Sequence, residues 1–390
     1  MLGRSASPRV EGMANTETCR LGVWQGEGIG PEIVAPTVQA VELALQSSGE
    51  ATPEFVPLLL GREAIDATGR VVPEETWETI TALDGWILGP HDNVSYPPSV
   101  AGQLNPSAHL RKQADLWANI RPVRGVPGAV HPDLDVVIVR ENTEGMYADR
   151  NMRVGSGDVT VNGEVSLAIG VFTQTKIRRI VRRAAAIAAA RDEVLTVAHK
   201  SNVLTETSGR YVAEAKACAE EFGVEIQPVH IDALCAELVT RPERYATIVA
   251  ENMFGDILSD LAGGLGGSLG IAGSINASES QVMAQAAHGS APDIAGQGIA
   301  NPAGIMNSAA QMLDSLGYPR AAELLEGAVR EAVIKAPTAD LLRETSATAP
   351  ESETAGAHDS AVAHGAEGVP RPATTEEFAK QVFVQLKPLV

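Results

Sequence analysis

The chain has 390 residues with 49 acidic and 30 basic side chains, a formal charge of −19. At about 150 residues per domain, this length suits two or three domains; 44% apolar and 20% charged residues suit a globular protein with ample core. The acidic excess excludes a general nucleic-acid or anionic-membrane binder, because phosphate binding needs surplus Lys and Arg. A small anionic ligand would need a locally basic pocket.

Residues 1–20 lack the apolar core of a signal peptide and read as a disordered extension, with Met13 an alternative start. Residues 21–23 followed by Gly26-Glu27-Gly28-Ile29-Gly30-Pro31 read as a strand, a tight glycine turn and a helix opening at Pro31. The turn lacks full G-x-G-x-x-G spacing, so positive φ explains its glycines as well as a nucleotide does. Gly85–Leu88, 136–139, 195–198 and Thr247–Ala250 are short apolar runs with strand character, and 176–191 and 209–221 read as helices. This alternation predicts an α/β fold.

Residues 151–175 alternate Val, Thr, Gly and Asn, the pattern of a projecting hairpin that serves either as an oligomer contact or as plain surface. Residues 343–368 hold five carboxylates against one Arg and no aromatic, and read as a disordered acidic insert. Helical patterning resumes over 374–386. Cys19, Cys218 and Cys235 form no C-x-x-C pair, so they read as inert thiols in a reducing cytoplasm. No run approaches the length of a membrane span.

Chemistry gathers at strand ends. Arg140 and Lys200 follow apolar runs, where parallel sheets bind ligands, and Arg111 and Arg121 flank another such segment. Several such cations together suit a polyanion. Asp256 and Asp260 stand at i and i+4 on one helix face and repel unless a cation intervenes. A solvated acidic face is the other reading, but flanking Met253, Phe254, Ile257 and Leu258 favour a partly buried site for Mg²⁺ or Mn²⁺.

Taken together, GEGIGPEIV (26–34), LRKQADLWANIRP (110–122), VRENTEGMY (139–147), HKSNVL (199–204), DALC (232–235), ENMFGDILSD (251–260) and HGSAPDIAGQGIANP (288–302) resemble the isocitrate/3-isopropylmalate family of β-decarboxylating dehydrogenases. The resemblance implies a two-domain α/β fold with mixed sheets flanked by helices. Residues 21–116 and 267–390 would form the large NAD-binding domain, and 117–266 a central domain carrying the arm. It implies a homodimer with shared active sites. Arg111, Arg121 and Arg140 then take the malate-clamping positions, Tyr147 the acid and Lys200 the base. Asp232 from the other subunit would assist the base and join Asp256 and Asp260 on the metal. His288, Gly289, Asp293, Ile294 and Asn301 take the cofactor positions. Asp293 suits NAD, because a carboxylate accepts from the adenosine 2′-hydroxyl and repels a 2′-phosphate.

Two departures from the family pattern are Glu27 in place of Asp and Gln285 in place of Glu, the latter bearing on the nicotinamide ribose. A third concerns substrate: Leu104, Ser107 and Ala108 share a face with Arg111, without the leucine pair that covers an isopropyl group. Asn105 and Ser107 are expected to bind the C3 substituent, although Asn105-Pro106 also reads as a helix cap. The favoured substrate is isocitrate or an anionic analogue such as phosphonomethylmalate. Isopropylmalate is second, then D-malate or tartrate. A non-catalytic regulatory subunit or a redox-free lyase would not need the full set of Lys200, Tyr147, Asp293 and the three aspartates.

Overall fold

Two of the anticipated runs, Gly85–Leu88 and Thr247–Ala250, are strands buried along their whole length, as expected only inside a sheet covered on both faces. The computed structural model describes residues 19–147, 158–342 and 371–387. Its strands are β1 (Arg20–Trp24), β2 (Glu54–Pro57), β3 (Gly85–Leu88), β4 (Ala118–Arg124), β5 (Asp135–Glu141), β6 (Asp158–Thr160), β7 (Ser166–Ala168), β8 (Leu195–His199), β9 (Ile226–His230), β10 (Thr247–Ala250), β11 (Ile275–Ala277) and β12 (Val282–Ala284). Ten form one mixed sheet in the order β2-β1-β3-β12-β11-β4-β5-β10-β8-β9, and β6 pairs only with β7.

The helices are α1 (Gly30–Ser48), α2 (Gly61–Thr68), α3 (Glu74–Thr81), α4 (Pro106–Gln113), α5 (Gln174–Arg191), α6 (Ser208–Phe222), α7 (Ile231–Thr240), α8 (Asn252–Gly266), α9 (Ala303–Ser315), α10 (Pro319–Lys335) and α11 (Thr375–Leu386). Helices α1, α9, α10 and α11 pack on one another, as do α5 with α6 and α7 with α8. Among the described residues no helix is long and apolar enough to cross a membrane.

The anticipated helices are present, and Thr374 closes a capping box with Glu377 at the start of α11. The expected N-terminal extension runs one residue too far, because Arg20 opens β1 and its amide donates to Asp84 at 2.8 Å. Residues 1–18, 148–157 and 343–368, which include the rest of that extension, part of the arm and the acidic insert, lie outside the described residues. The anticipated arm contains the antiparallel β6–β7 hairpin and ends where α5 begins at Gln174.

Sheet register positions the chemistry. β4 and β5 are antiparallel with Asn119 opposite Arg140, so Asn119, Arg121 and Arg140 share one face. β5 and β10 are parallel with Arg140 beside Ala250, so the chain leaving β10 enters α8 next to Arg140. In β8 and β9, His199 stands beside His230, and the next turns carry Lys200 and Asp232 side by side.

The glycine turn after β1 has a specific packing role. Gly28 has φ +59°, and a Cβ there would lie 2.1 Å from the carbonyl oxygen of Ser290. The adjacent Ile29 amide donates to the same oxygen at 2.9 Å. Gly28→Ala should therefore destabilise the protein by about 1–3 kcal/mol, measured as a lower denaturation midpoint. An unchanged midpoint would refute this packing role.

Candidate active site

Arg121 and Arg140 are 7% and 2% exposed, and a guanidinium so deep requires hydrogen-bonded anions or amides. Arg140 donates from Nε (3.0 Å) and Nη2 (2.7 Å) to Asn252 Oδ1, and from Nη1 to Asp256. Arg121 donates to Asn119 Oδ1 at 2.7 Å, Ser259 Oγ at 2.8 Å and Asp260 at 3.2 Å, and lies 3.5 Å from Asp256. Tyr147 donates to the other oxygen of Asp256 at 3.1 Å, under the Arg140 guanidinium. Helix α8 approaches β5 closely because residue 255 is glycine: a Cβ there would stand 2.6 Å from Arg140 Cγ.

Five predicted site residues, Arg121, Arg140, Tyr147, Asp256 and Asp260, therefore form one cluster. Asn119, Asn252, Ser259 and Gly255 complete it and were not singled out from sequence; their signal was adjacency to the two motifs. Burial, and after it repulsion by Asp256, pushes the Asp260 carboxyl above its usual range despite Arg121. Two hard oxygen donors with repulsion between them suit Mg²⁺ or Mn²⁺. Among the described residues no three His, Cys, Asp or Glu side chains are placed to hold a metal. Any third protein carboxylate must come from outside this cluster.

Lys200 and Asp232 form a separate pair. Lys200 Nζ donates to Asp232 at 2.6 Å within the same chain, and this contact holds the Asp232 carboxyl below its usual range. The expected pairing of Lys200 with an aspartate of another subunit is thereby revised: a copy that lends Asp232 lends Lys200 with it.

Arg111 lies in a third group, on α4. Its Nη2 and the Ser107 hydroxyl both donate to Gln285 Oε1, at 2.9 and 2.8 Å. Leu104, Ala108 and Arg111 line a cavity of about 70 Å³ with Lys112, Thr143 and Lys176. Asn105 accepts from the Ala108 amide at 2.8 Å and caps α4. Its side-chain oxygen is engaged by the backbone, which corrects its assignment to the substrate. Gln285 meets Ser107 and Arg111, a contact that the expectation about the ribose did not include.

The loop 288–302 is held by Glu32 in the first turn of α1, which accepts from the amides of Gly296 and Gly298, the latter at 2.9 Å. Sequence reasoning missed Glu32. His288 Nδ1 lies 3.0 Å from the Gly289 carbonyl oxygen, whereas Nε2 is buried with no partner among the described residues. Burial keeps the ring neutral by lowering its pKa, so Nε2 suits a base edge. A Cβ added at Gly289 would meet nothing within 4 Å, and Asp293 is exposed; both leave room for a nucleotide. Ile294 packs on the core. Asn301 caps α9 through the Ala303 amide (2.9 Å) and donates to Asp340 (3.1 Å), so both ends of its side chain are already engaged.

Beneath Arg140 lies a buried acidic layer. Glu141 and Glu144 are 0% exposed and Glu251 is 3% exposed, with the Tyr211 hydroxyl among them. Glu144 accepts from Thr173, and Glu251 caps α8. Burial raises the Glu141 carboxyl to about 7, against two hydrogen bonds from Thr143 that oppose the shift. The folded state thus holds a proton that the unfolded state has released above pH 4.5. The resulting stability is present at acid pH and is lost as pH rises through about 7. Glu141→Gln should flatten this decline in thermal midpoints across that window; a slope equal to the wild type's would refute it.

Comparison with known proteins agrees with this arrangement. The sequence model of the isocitrate/isopropylmalate dehydrogenase family matches residues 20–356. The isocitrate/homoisocitrate dehydrogenase of Thermus thermophilus is 41% identical over 80% of this chain and 89% of its own. The 3-isopropylmalate/3-methylmalate dehydrogenase of Methanocaldococcus jannaschii is 37% identical over 79% and 89%. The structure of isocitrate dehydrogenase from Methylococcus capsulatus superposes with a TM-score of 0.77 at 29% identity, covering 95% of this chain and all of that one. The chain belongs to the isocitrate/isopropylmalate dehydrogenase family of decarboxylating dehydrogenases.

Proposed function

We propose that the protein uses NAD and Mg²⁺ or Mn²⁺ to oxidise and decarboxylate a 3-substituted D-malate, a 2R-hydroxy acid, to a 2-oxo acid and CO₂. Isocitrate or an anionic analogue such as phosphonomethylmalate is the favoured substrate. The observation that carries this reading is the convergence of Arg121, Arg140 and Tyr147 on Asp256. Two cations and two carboxylates balance one another there. A divalent cation taken by Asp256 and Asp260 frees both arginines for the two carboxylates of a malate, and the charge remains balanced. When bound, that cation polarises the C2 oxygen.

The chain's own residues supply the rest. Lys200, held by Asp232, receives the C2 hydroxyl proton as hydride leaves for NAD. Tyr147 carries the proton that replaces CO₂ on C3, its hydroxyl oriented by Asp256. His288, Gly289, Asp293 and Ile294 form the adenosine edge, where the free carboxylate of Asp293 favours NAD over NADP.

A second substrate, 3-isopropylmalate, is favoured by Leu104 and Ala108 in the small cavity beside Arg111. Oligomeric structure enters through Val239 and Ile257, exposed on α7 and α8, and through Val159, Val165 and Leu167, exposed on the hairpin. A second copy of the chain would cover these faces and bring its Lys200–Asp232 pair to Asp256 and Asp260.

Two measurements test the proposal. The kcat/KM for NAD should exceed that for NADP by about 100-fold or more, with Mn²⁺ and a substituted malate present; an NADP preference would overturn the cofactor reading. Coexpressed Lys200→Met and Asp256→Asn chains, each inactive alone, should regain roughly a quarter of wild-type activity through mixed dimers with one intact site. No recovery in isolated mixed dimers would show that each site is built from a single chain.

A further inference from the structure

Gln285 is 8% exposed and fixed at the end of β12, where its backbone amide donates to Ser274 at 3.1 Å. One oxygen of its carboxamide accepts from both the Ser107 hydroxyl and Arg111 Nη2. Among the described residues the Nε2 amide has no acceptor, and it is not sealed from solvent. The side chain therefore orients two substrate-binding groups with its oxygen while its own N–H donors remain available.

We propose that Gln285 determines specificity for the substrate's C3 substituent by selecting one that carries an oxygen anion, a carboxylate or phosphonate. This rests on the reaction assigned above and adds a residue outside the helix that carries Ser107 and Arg111. Three features argue for it. A carboxamide adds no negative charge beside Arg111, whereas a carboxylate of the same shape would form an ion pair and repel an anionic substituent. The Nε2–H groups can donate to an oxygen anion, whereas an aliphatic substituent would shut them away from water without a partner. Arg111, Lys112 and Lys176 outnumber Asp115 in the adjoining cavity, so its lining favours an anion.

The test compares isocitrate with 3-isopropylmalate in the wild type, Gln285→Glu and Gln285→Met, each checked for an unchanged thermal midpoint. Gln285→Glu should lower kcat/KM for isocitrate about tenfold or more, mostly through KM and less at high salt, while isopropylmalate changes less than about threefold. Gln285→Met removes donor and acceptor without adding charge and should shift the ratio the same way without the salt dependence. Calorimetric titration of isocitrate with Mg²⁺ in the absence of NAD should show the same weakening for Gln285→Glu.

Equal losses for both substrates, or no loss in either variant, would overturn the inference. So would a wild-type enzyme that oxidises isopropylmalate but not isocitrate. A wild-type protein that turns over no substituted malate would instead overturn the proposed reaction.

Discussion

Arg140 is the group on which the rest of the site depends. It ends a strand whose other residues from Val136 onward are fully buried, and it is itself 2% exposed. A cation cannot remain there without an anion and hydrogen bonds close by. The β5–β10 register brings the start of α8 alongside, Asn252 accepts two of the guanidinium donors, and Asp256 supplies the charge. Gly255 lets the helix backbone come near enough. Asp260, one turn further on, then meets Arg121 from the neighbouring strand. The carboxylate pair is thus held by the need to neutralise two buried arginines, and that need can be met equally by a divalent cation once a dicarboxylate takes the arginines.

Much of this is legible in the sequence alone. The apolar runs that form β3, β5, β8 and β10 indicate the α/β class, and spacing alone puts Asp256 and Asp260 on one partly buried face. What spacing cannot express is pairing across the sheet. That Lys200 meets Asp232 in its own chain follows from His199 standing beside His230, a register between strands some thirty residues apart. That Gln285 reaches Ser107 follows from α4 and the end of β12 meeting across a sequence separation of 178 residues. Short-range chemistry decided Asn105: an Asn before Pro at a helix start can cap or bind ligand, and capping satisfies an otherwise open backbone amide. Glu32 was hidden because an acidic residue in a first helical turn already has an adequate explanation in the helix dipole.

The overall acidity of the chain now has a physical place. Asp256 and Asp260 are neutralised by arginines, and Glu141, Glu144 and Glu251 are buried and hydrogen-bonded beneath them. None of these groups projects an open negative field at the substrate carboxylates. Around α4 the balance reverses, with Arg111, Lys112 and Lys176 near a neutral Gln285. Net charge governs long-range encounter, while the nearest few ångströms govern which ligand is retained.

The positions of the exposed apolar side chains connect assembly to chemistry. On α7, Asp232 and Val239 are seven residues apart and so lie on one face. On α8, Ile257 and Asp260 are three apart and likewise adjacent. The helices that carry aspartates to the site thus present exposed Val239 and Ile257 beside them. Burying such side chains is the driving force for association, and any second copy docked over them is brought near those carboxylates. Because Lys200 moves with Asp232, docking would deliver base and ligand together. An association too weak to form the dimer would then also be too weak to assemble the site, so catalysis and oligomerisation would share one concentration dependence.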